Sequence, residues 1–467
     1  MTSMVNLANV ATDRPNTYWA DFPETYRDEQ VSIIMQWIAV GDSGVVIGGS
    51  GAGKSNLVGF LAGRPDVLAR HLPNQAANSC FLYLDANSLP LITTANFYRG
   101  LLYTLQDATT TLGPELTTEI AAIMAKLPTG DDPIGLYFAL QRVHTLLIRR
   151  AGKKVVWLID RFDEACKRLE AGALSSLRSL RDQFKGNLSY LVFTRFPLAR
   201  LRNPAEFDEF HEIIVTHTCW VGPMVERDAR WIAHQMAERY QCSFTESAIT
   251  QIIEVTGGLP AFTKAACMAL ATGQLSPSGS AQVWTEQLLV QPVFQRNCQE
   301  IWGDCTAVER IALTDFATWG ENMGTDTETL AYLIKAGLLT QAAPRAQLHI
   351  FSPIFALFVK QQRTPVSSGI TLDTRTGHIL RDGFPLQAEF TQLETCLLAY
   401  FIAHAGQLCE KNTLIAHVWP DEKVVDGIRD DSLAQLIKRL RDKIEVAGAK
   451  QSVIQNVRGR GYRFVQG

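Results

Sequence analysis

Residues 48–55 read Gly48-Gly49-Ser50-Gly51-Ala52-Gly53-Lys54-Ser55 and satisfy G-x-x-x-x-G-K-[ST] at every fixed position. The run before them, Gly44-Val45-Val46-Ile47, has the character of a short buried strand, and Asn56-Leu57-Val58-Gly59-Phe60-Leu61 continues as a helix. Glycines at this spacing let successive backbone N–H groups curl toward one phosphate, and the helix N-terminus adds partial positive charge. Lys54 is placed to reach the β- and γ-phosphates, Ser55 to hold Mg²⁺, and Asn56 closes the cradle at its helical edge. The rival reading, a Gly-rich turn of chance composition, does not explain why strand, loop and helix follow in the order this chemistry needs. An α/β fold around a nucleotide phosphate is the expectation.

The bulk numbers set the frame. A chain of 467 residues has room for two to four domains. Hydrophobic residues make up 46% and charged ones 19%, the balance of a globular protein with large cores. No apolar run reaches the roughly eighteen residues of a membrane span, and the N-terminus has neither a basic start nor an apolar core typical of a secretion signal. The nine cysteines are scattered without a C-x-x-C pair, as reduced thiols of a cytoplasmic protein are. Net charge is −3, yet residues 432–467 hold eight Lys/Arg against two acids, +6, leaving −9 for the rest. A basic end on an acidic body suggests a polyanion contacted from one end.

Residues 1–20 read as a loose lead-in. Tyr26 and Arg27 precede a helix with apolar positions Val31, Ile34, Trp37 and Ile38; they either pack over an adenine or serve as its N-terminal cap region. A second strand is expected at 80–85 and helices over 92–150, broken by Pro114 and by residues 128–133. Val155-Val156-Trp157-Leu158-Ile159-Asp160 is a strand buried on both faces, with an acid at the end where ligands bind in an open α/β sheet. Asp160 there suits a water-mediated Mg²⁺ contact. Asp163 and Glu164 either orient an attacking water or cap the next helix. Another buried run, 188–195, ends in Thr194 and Arg195, an arginine placed to sense the γ-phosphate. Glu212-Ile213-Ile214-Val215-Thr216 is expected as the fifth strand. Helices follow over 226–271, interrupted by Gly257-Gly258-Leu259-Pro260, with Gly closing one helix and Pro opening the next.

The phosphate loop, the separated acid, the strand ending in Thr-Arg and the Gly-Gly-Leu-Pro turn together resemble the STAND ATPases, including NB-ARC switches, over roughly residues 20–360. That resemblance implies a parallel sheet ordered 5-1-4-3-2 with a helical lid, ATP or ADP with Mg²⁺ as ligands, and Pro260 against adenine and ribose. One departure is Arg161, where many members carry a second acid. Residues 305–362 look like the winged helix that follows the core in this family, and His349 in it is a candidate for approaching a diphosphate, with an ordinary surface histidine as the competing reading. The expected domains are 21–220 (core), 221–300 (lid), 301–362 (middle winged helix), a linker at 363–369, and 370–467. Residues 272–304 carry no pattern that reads clearly.

In the last segment, Thr391 and Glu394 form a capping-box pattern at the start of a helix, and a second helix runs from Lys411 to Trp419. Leu433, Leu436, Ile437, Leu440 and Ile444 then make one apolar stripe, opposite Gln435, Lys438, Arg439 and Asp442, with Arg441 at the flank. An apolar back with a basic, amide-bearing front suits a major groove. Residues 453–464 read as a hairpin with Arg458 and Arg460 at its tip, able to follow a DNA backbone or enter a minor groove. This segment closely resembles the winged-helix DNA-binding domain of OmpR-type response regulators. The signatures are Phe390-Thr391-x-Leu393-Glu394, Val418-Trp419, Leu436 to Arg441 and Val457-Arg458-Gly459-x-Gly461-Tyr462.

The function expected is a cytoplasmic, ATP/ADP-switched regulator of transcription with slow hydrolysis. It would bind double-stranded DNA and self-associate in the ATP state, respond to an unknown activating ligand or protein, and have no membrane partner. The alternatives are a DNA-management ATPase, such as an initiator or transposition helper, and a STAND defence sensor.

Overall fold

Val45, Val46, Val155, Val156, Ile159, Tyr190 and Val192 are β-branched or aromatic residues with almost no exposure, and residues of that kind suit a sheet covered on both faces. In the computed structural model they lie on β1 Gly44–Ile47, β3 Lys154–Asp160 and β4 Leu188–Thr194, three strands of a five-stranded sheet completed by β2 Ser79–Asp85 and β5 Thr218–Trp220. All pairings are parallel, in the order β2-β3-β4-β1-β5, which is 5-1-4-3-2 from the other edge. The structure describes residues 17–109, 113–203, 208–341, 347–362, 370–372, 379–381, 384–386, 388, 390–419, 428–444, 453–457 and 460–465. The chain divides into two units, 1–304 with 331–357, and 305–330 with 358–467.

In the first unit, alternate residues of the central strands (Leu82 and Leu84, Trp157 and Ile159, Tyr190 and Val192) pack against helices Thr94–Thr109, Pro133–Thr145 and Ala171–Gln183. Each fully buried large apolar side chain contributes about 1.5–3 kcal/mol, so this layer holds the sheet in place. The fifth strand corrects the expectation. Residues 212–216 belong mostly to the helix Asp208–Val215, and the strand begins at Thr218. Phe210 and Ile214, four apart, are both fully buried. That helical spacing prevails over the strand preference of the Ile-Ile-Val run. The uninterpreted stretch 272–304 holds two helices, Ala281–Leu289 and Pro292–Asp304; the second is anchored by buried Phe294, Cys298 and Ile301. A two-stranded hairpin, Leu339–Gln341 with Leu348–Ile350, also belongs to this unit.

In the second unit, the antiparallel sheet of Leu408–Glu410, Gly461–Phe464 and Ile454–Val457 accompanies three helices, Gln392–Ala403, Lys411–Val418 and Ile428–Ile444. Their core joins Leu397, Phe401, Leu414, Leu436, Leu440 and Phe464. Strands Ile370–Leu372, Ile379–Arg381 and Phe384–Pro385 form a second antiparallel sheet in front. Among the described residues, no helix is long and apolar enough to cross a membrane.

Candidate functional site

The phosphate loop sits between β1 and the helix Lys54–Gly63. Gly48 is fixed by close approach: a Cβ there would stand 2.5 Å from the Val221 carbonyl oxygen. Gly53 takes φ 89° at the N-cap, a left-handed conformation that glycine adopts without strain. The Lys54 ammonium donates to the Gly49 carbonyl at 3.3 Å and, more closely, to that of Gly48. Burial pulls its pKa below the ordinary lysine value, against the neighbouring carboxylates of Asp163 and Asp160.

A cleft of about 690 Å³ opens over the loop. It brings together Gly49, Ser50, Gly51, Gly53, Lys54, Ser55 and Asn56 with Asp160, Asp163, Glu164, Arg195 and Pro260, residues from four separate stretches of sequence. The Ser55 hydroxyl donates to Asp160 Oδ2 at 2.8 Å, and Asp160 Oδ1 accepts the Arg161 N–H at 2.9 Å. Burial raises the Asp160 carboxyl above the usual range while the Ser55 and Arg161 hydrogen bonds oppose it. A hydroxyl and a sequestered carboxylate form the hard-oxygen set that Mg²⁺ takes, so these residues fit the ion. Arg161 itself holds φ 53°, a strained backbone directly beside that carboxylate.

The two acids beyond Asp160 differ. Asp163 is half-buried, and its Oδ1 accepts the backbone N–H of Arg195 at 2.8 Å, tying the end of β4 to the helix Phe162–Arg168 that follows β3. Burial raises its carboxyl pKa. Glu164 stands at the rim, paired with Lys167 at 3.4 Å and Arg168 at 3.1 Å. The Thr194 hydroxyl donates to the Phe196 carbonyl at 2.8 Å and shapes the turn that presents Arg195. Pro260 is buried at the start of its helix, within 3.2 Å of where a Gly53 Cβ would lie, and the Ala261 N–H reaches the Gly51 carbonyl at 3.2 Å.

Other expected residues lie elsewhere. Gly48 and Ala52 belong to the loop but turn into the protein. Tyr26 is fully buried in an aromatic cluster with Phe22, Phe60 and Trp231. Arg27 is a buried brace. Its Nη2 donates to the Ala52 and Gly222 carbonyls at 2.8 and 2.9 Å, and its backbone N–H donates to Asp228 at 2.9 Å. These two residues support the loop from behind and do not line the cleft. His349 is exposed on the hairpin, hydrogen-bonded to Thr340 at 3.1 Å, and does not line the cleft either. Conversely, Lys264 and Glu300 line it without having been singled out. Lys264 lies one turn beyond Pro260 on the same helix, a spacing the sequence carries, whereas Glu300 lies in 272–304, where no motif marks it.

In the second unit, Leu433, Leu436, Ile437, Leu440 and Ile444 are buried, while Gln435, Lys438, Arg439 and Asp442 are exposed. Arg441 is diverted from that front: its Nε donates to the Ile454 carbonyl at 2.9 Å and ties the helix to the wing strand. Lys443 pairs with fully buried Glu394 at 2.7 Å. Burial pushes the Glu394 carboxyl up, but hydrogen bonds from Lys443 and from the Thr391 N–H outweigh it and leave the pKa below its ordinary value. Arg460 is exposed at the tip of the wing; Arg458 lies outside the described residues.

A five-stranded parallel sheet with a Walker-type loop after β1 and an acid at the end of β3 defines a P-loop ATPase fold. The C-terminal helices and wing define a DNA-binding regulatory domain. Residues 386–464 match the family described as "Transcriptional regulatory protein, C terminal". No curated protein sequence matches the chain. Among solved structures, a Walker-type ATPase of Pyrococcus abyssi aligns at 14% identity and TM-score 0.45, over 72% of this chain and 98% of that one. The ADP form of the Aeropyrum pernix ORC2 protein aligns at 13% and 0.40, over 71% and 91%. The Aeropyrum pernix ORC1 protein in complex with DNA aligns at 12% and 0.37, over 76% and 95%.

Proposed function

We propose that the chain is a nucleotide-switched, sequence-specific transcriptional regulator of the STAND class, acting in the cytoplasm. The observation that carries this reading is the Ser55–Asp160 pair beneath a phosphate loop, in a chain that ends in a DNA-binding regulatory domain. In this proposal the functional segments would be a core at 21–220, a lid at 221–300, a middle winged helix at 301–362, a linker at 363–369 and a DNA-binding domain at 370–467, although residues 305–330 and 331–357 fall in different compact units. Loop N–H groups and Lys54 would bind the phosphates of ATP or ADP. Ser55 directly, and Asp160 through water, would hold Mg²⁺, which when bound screens phosphate charge. Arg195 would read the third phosphate. Hydrolysis would be slow, because Arg161 follows Asp160 where a second acid is common, Asp163 is tied to the Arg195 N–H, and Glu164 is held by two cations.

ADP would favour a closed form and ATP a form that self-associates, setting several winged helices on repeated half-sites and raising affinity through effective concentration. The test is size and promoter footprint of the full chain in ADP and in a non-hydrolysable ATP analogue, with Lys54→Ala alongside. Nucleotide-dependent footprints that vanish in Lys54→Ala are expected. Identical footprints in all conditions would remove the coupling. DNA-stimulated turnover without site preference would point instead to a DNA-management ATPase.

A further inference from the structure

We propose that Glu300 and Asp304 make the cleft select a nucleoside diphosphate over a triphosphate, because their carboxylates occupy the groups that a third phosphate needs. This rests on the nucleotide reading above and assigns its selectivity to a helix with no recognised motif. Both acids lie in the last two turns of Pro292–Asp304, one turn apart and so on one side. The helix is held to the first unit by buried Phe294, Cys298 and Ile301, so the acids are presented from a fixed support.

Each acid engages a group of the phosphate site. Glu300 Oε2 accepts the hydroxyl of loop residue Ser50 at 2.5 Å. Asp304 Oδ2 accepts Arg195 Nε at 2.5 Å, in a pair where the side chains are 20% and 35% exposed. That is partial shielding from solvent, where charge–charge terms exceed their surface values. Asp304 also contributes to the field at Lys54, and burial raises its carboxyl pKa while Arg195 opposes the rise.

A diphosphate is held by the loop N–H groups and Lys54, and leaves the Arg195–Asp304 pair intact. A triphosphate adds negative charge farther along the cleft, toward Arg195 and these two carboxylates. It must take Arg195 from Asp304 and bear the like charge of both acids, or push the end of the helix aside. A ligand shifts a conformational equilibrium only by its differential affinity for the two states. The acids supply that difference, making release of this helix the structural correlate of triphosphate binding. Asp304 is the last residue before the chain passes into the second unit.

Calorimetric titration of the full chain with ADP and with a non-hydrolysable ATP analogue tests this, using Asp304→Asn and Glu300→Gln. The Kd ratio of triphosphate to diphosphate is expected to fall at least about tenfold in Asp304→Asn and about threefold in Glu300→Gln, with ADP affinity nearly unchanged. Glu300 is exposed, so its variant keeps the test decisive if Asp304→Asn fails to fold. Parallel shifts for both nucleotides, or an unchanged ratio, overturn the selectivity while leaving nucleotide binding intact. A wild-type chain that binds neither nucleotide overturns the nucleotide reading itself, and this inference with it.

Discussion

Arg27 shows how far a residue's work can lie from where its neighbours in sequence point. Its backbone is left-handed at φ 52°, and its guanidinium bridges the Ala52 carbonyl of the phosphate loop to Gly222 and Pro223 beyond β5. Arg27→Ala would leave those carbonyls without their buried donor and is expected to cost roughly 2–4 kcal/mol by urea denaturation. Nucleotide affinity should fall as well, because the loop loses its brace; unchanged stability would show that water replaces the guanidinium. Position in the chain suggests for Tyr26 and Arg27 either an adenine contact or the N-terminal cap region of a helix, and Arg27 does stand at the N-cap of the helix Asp28–Val40. Burial against Phe60 and Trp231 is decided by partners some 30 and 200 residues away, which no local pattern encodes. Asp160 was legible for the opposite reason: an acid closing a buried apolar strand has few structural roles to play.

Whole elements were more readable than single side chains, because periodicity is a property of a run. The apolar stripe of Ile428–Ile444 is buried where its spacing required. Its exposed Lys438 and Arg439 are expected to contact phosphates, so each change to Ala should flatten the salt dependence of DNA binding by about one unit of slope. Arg441→Ala should instead loosen the wing and lower the thermal stability of the C-terminal module, with the slope little changed. The stretch 212–216 suits a strand locally through its Ile-Ile-Val run, but the burial of Phe210 and Ile214 four residues apart requires a helix. Helix Pro133–Thr145 carries a further consequence. Fully buried His144 accepts the Trp157 indole N–H at 3.1 Å, and its Nδ1 bonds the Leu140 carbonyl at 2.8 Å. Burial lowers its pKa from 6.5 to about 4. Between those values the unfolded chain binds the extra proton, so stability falls as pH drops through that window, by up to roughly 3 kcal/mol. Urea midpoints from pH 7 to 4.5 should show this decline, with a shallower one in His144→Gln; equal slopes would exclude His144 as its source.

At the scale of the molecule, a basic tail on an acidic body and a phosphate site in the other unit call for a measurement on the intact chain. Ser55→Ala, or chelation of Mg²⁺, is expected to abolish any difference in DNA affinity between ADP and a non-hydrolysable ATP analogue. The salt slope should stay the same, since it is set by Lys438, Arg439 and the wing. A nucleotide effect that survives in Ser55→Ala would separate the switch from the metal. By itself the amino-acid sequence determined the phosphate loop, the acid at the end of β3, the capped helix at Thr391 and the amphipathic third helix, because glycine spacing, terminal acids and apolar periods act over a few residues. Only the tertiary structure decided that Arg27 braces the loop, that Arg441 holds the wing, and that Glu300 and Asp304 reach Ser50 and Arg195. Those contacts join residues 13 to 250 positions apart, and such distances are closed by the packing of many side chains at once.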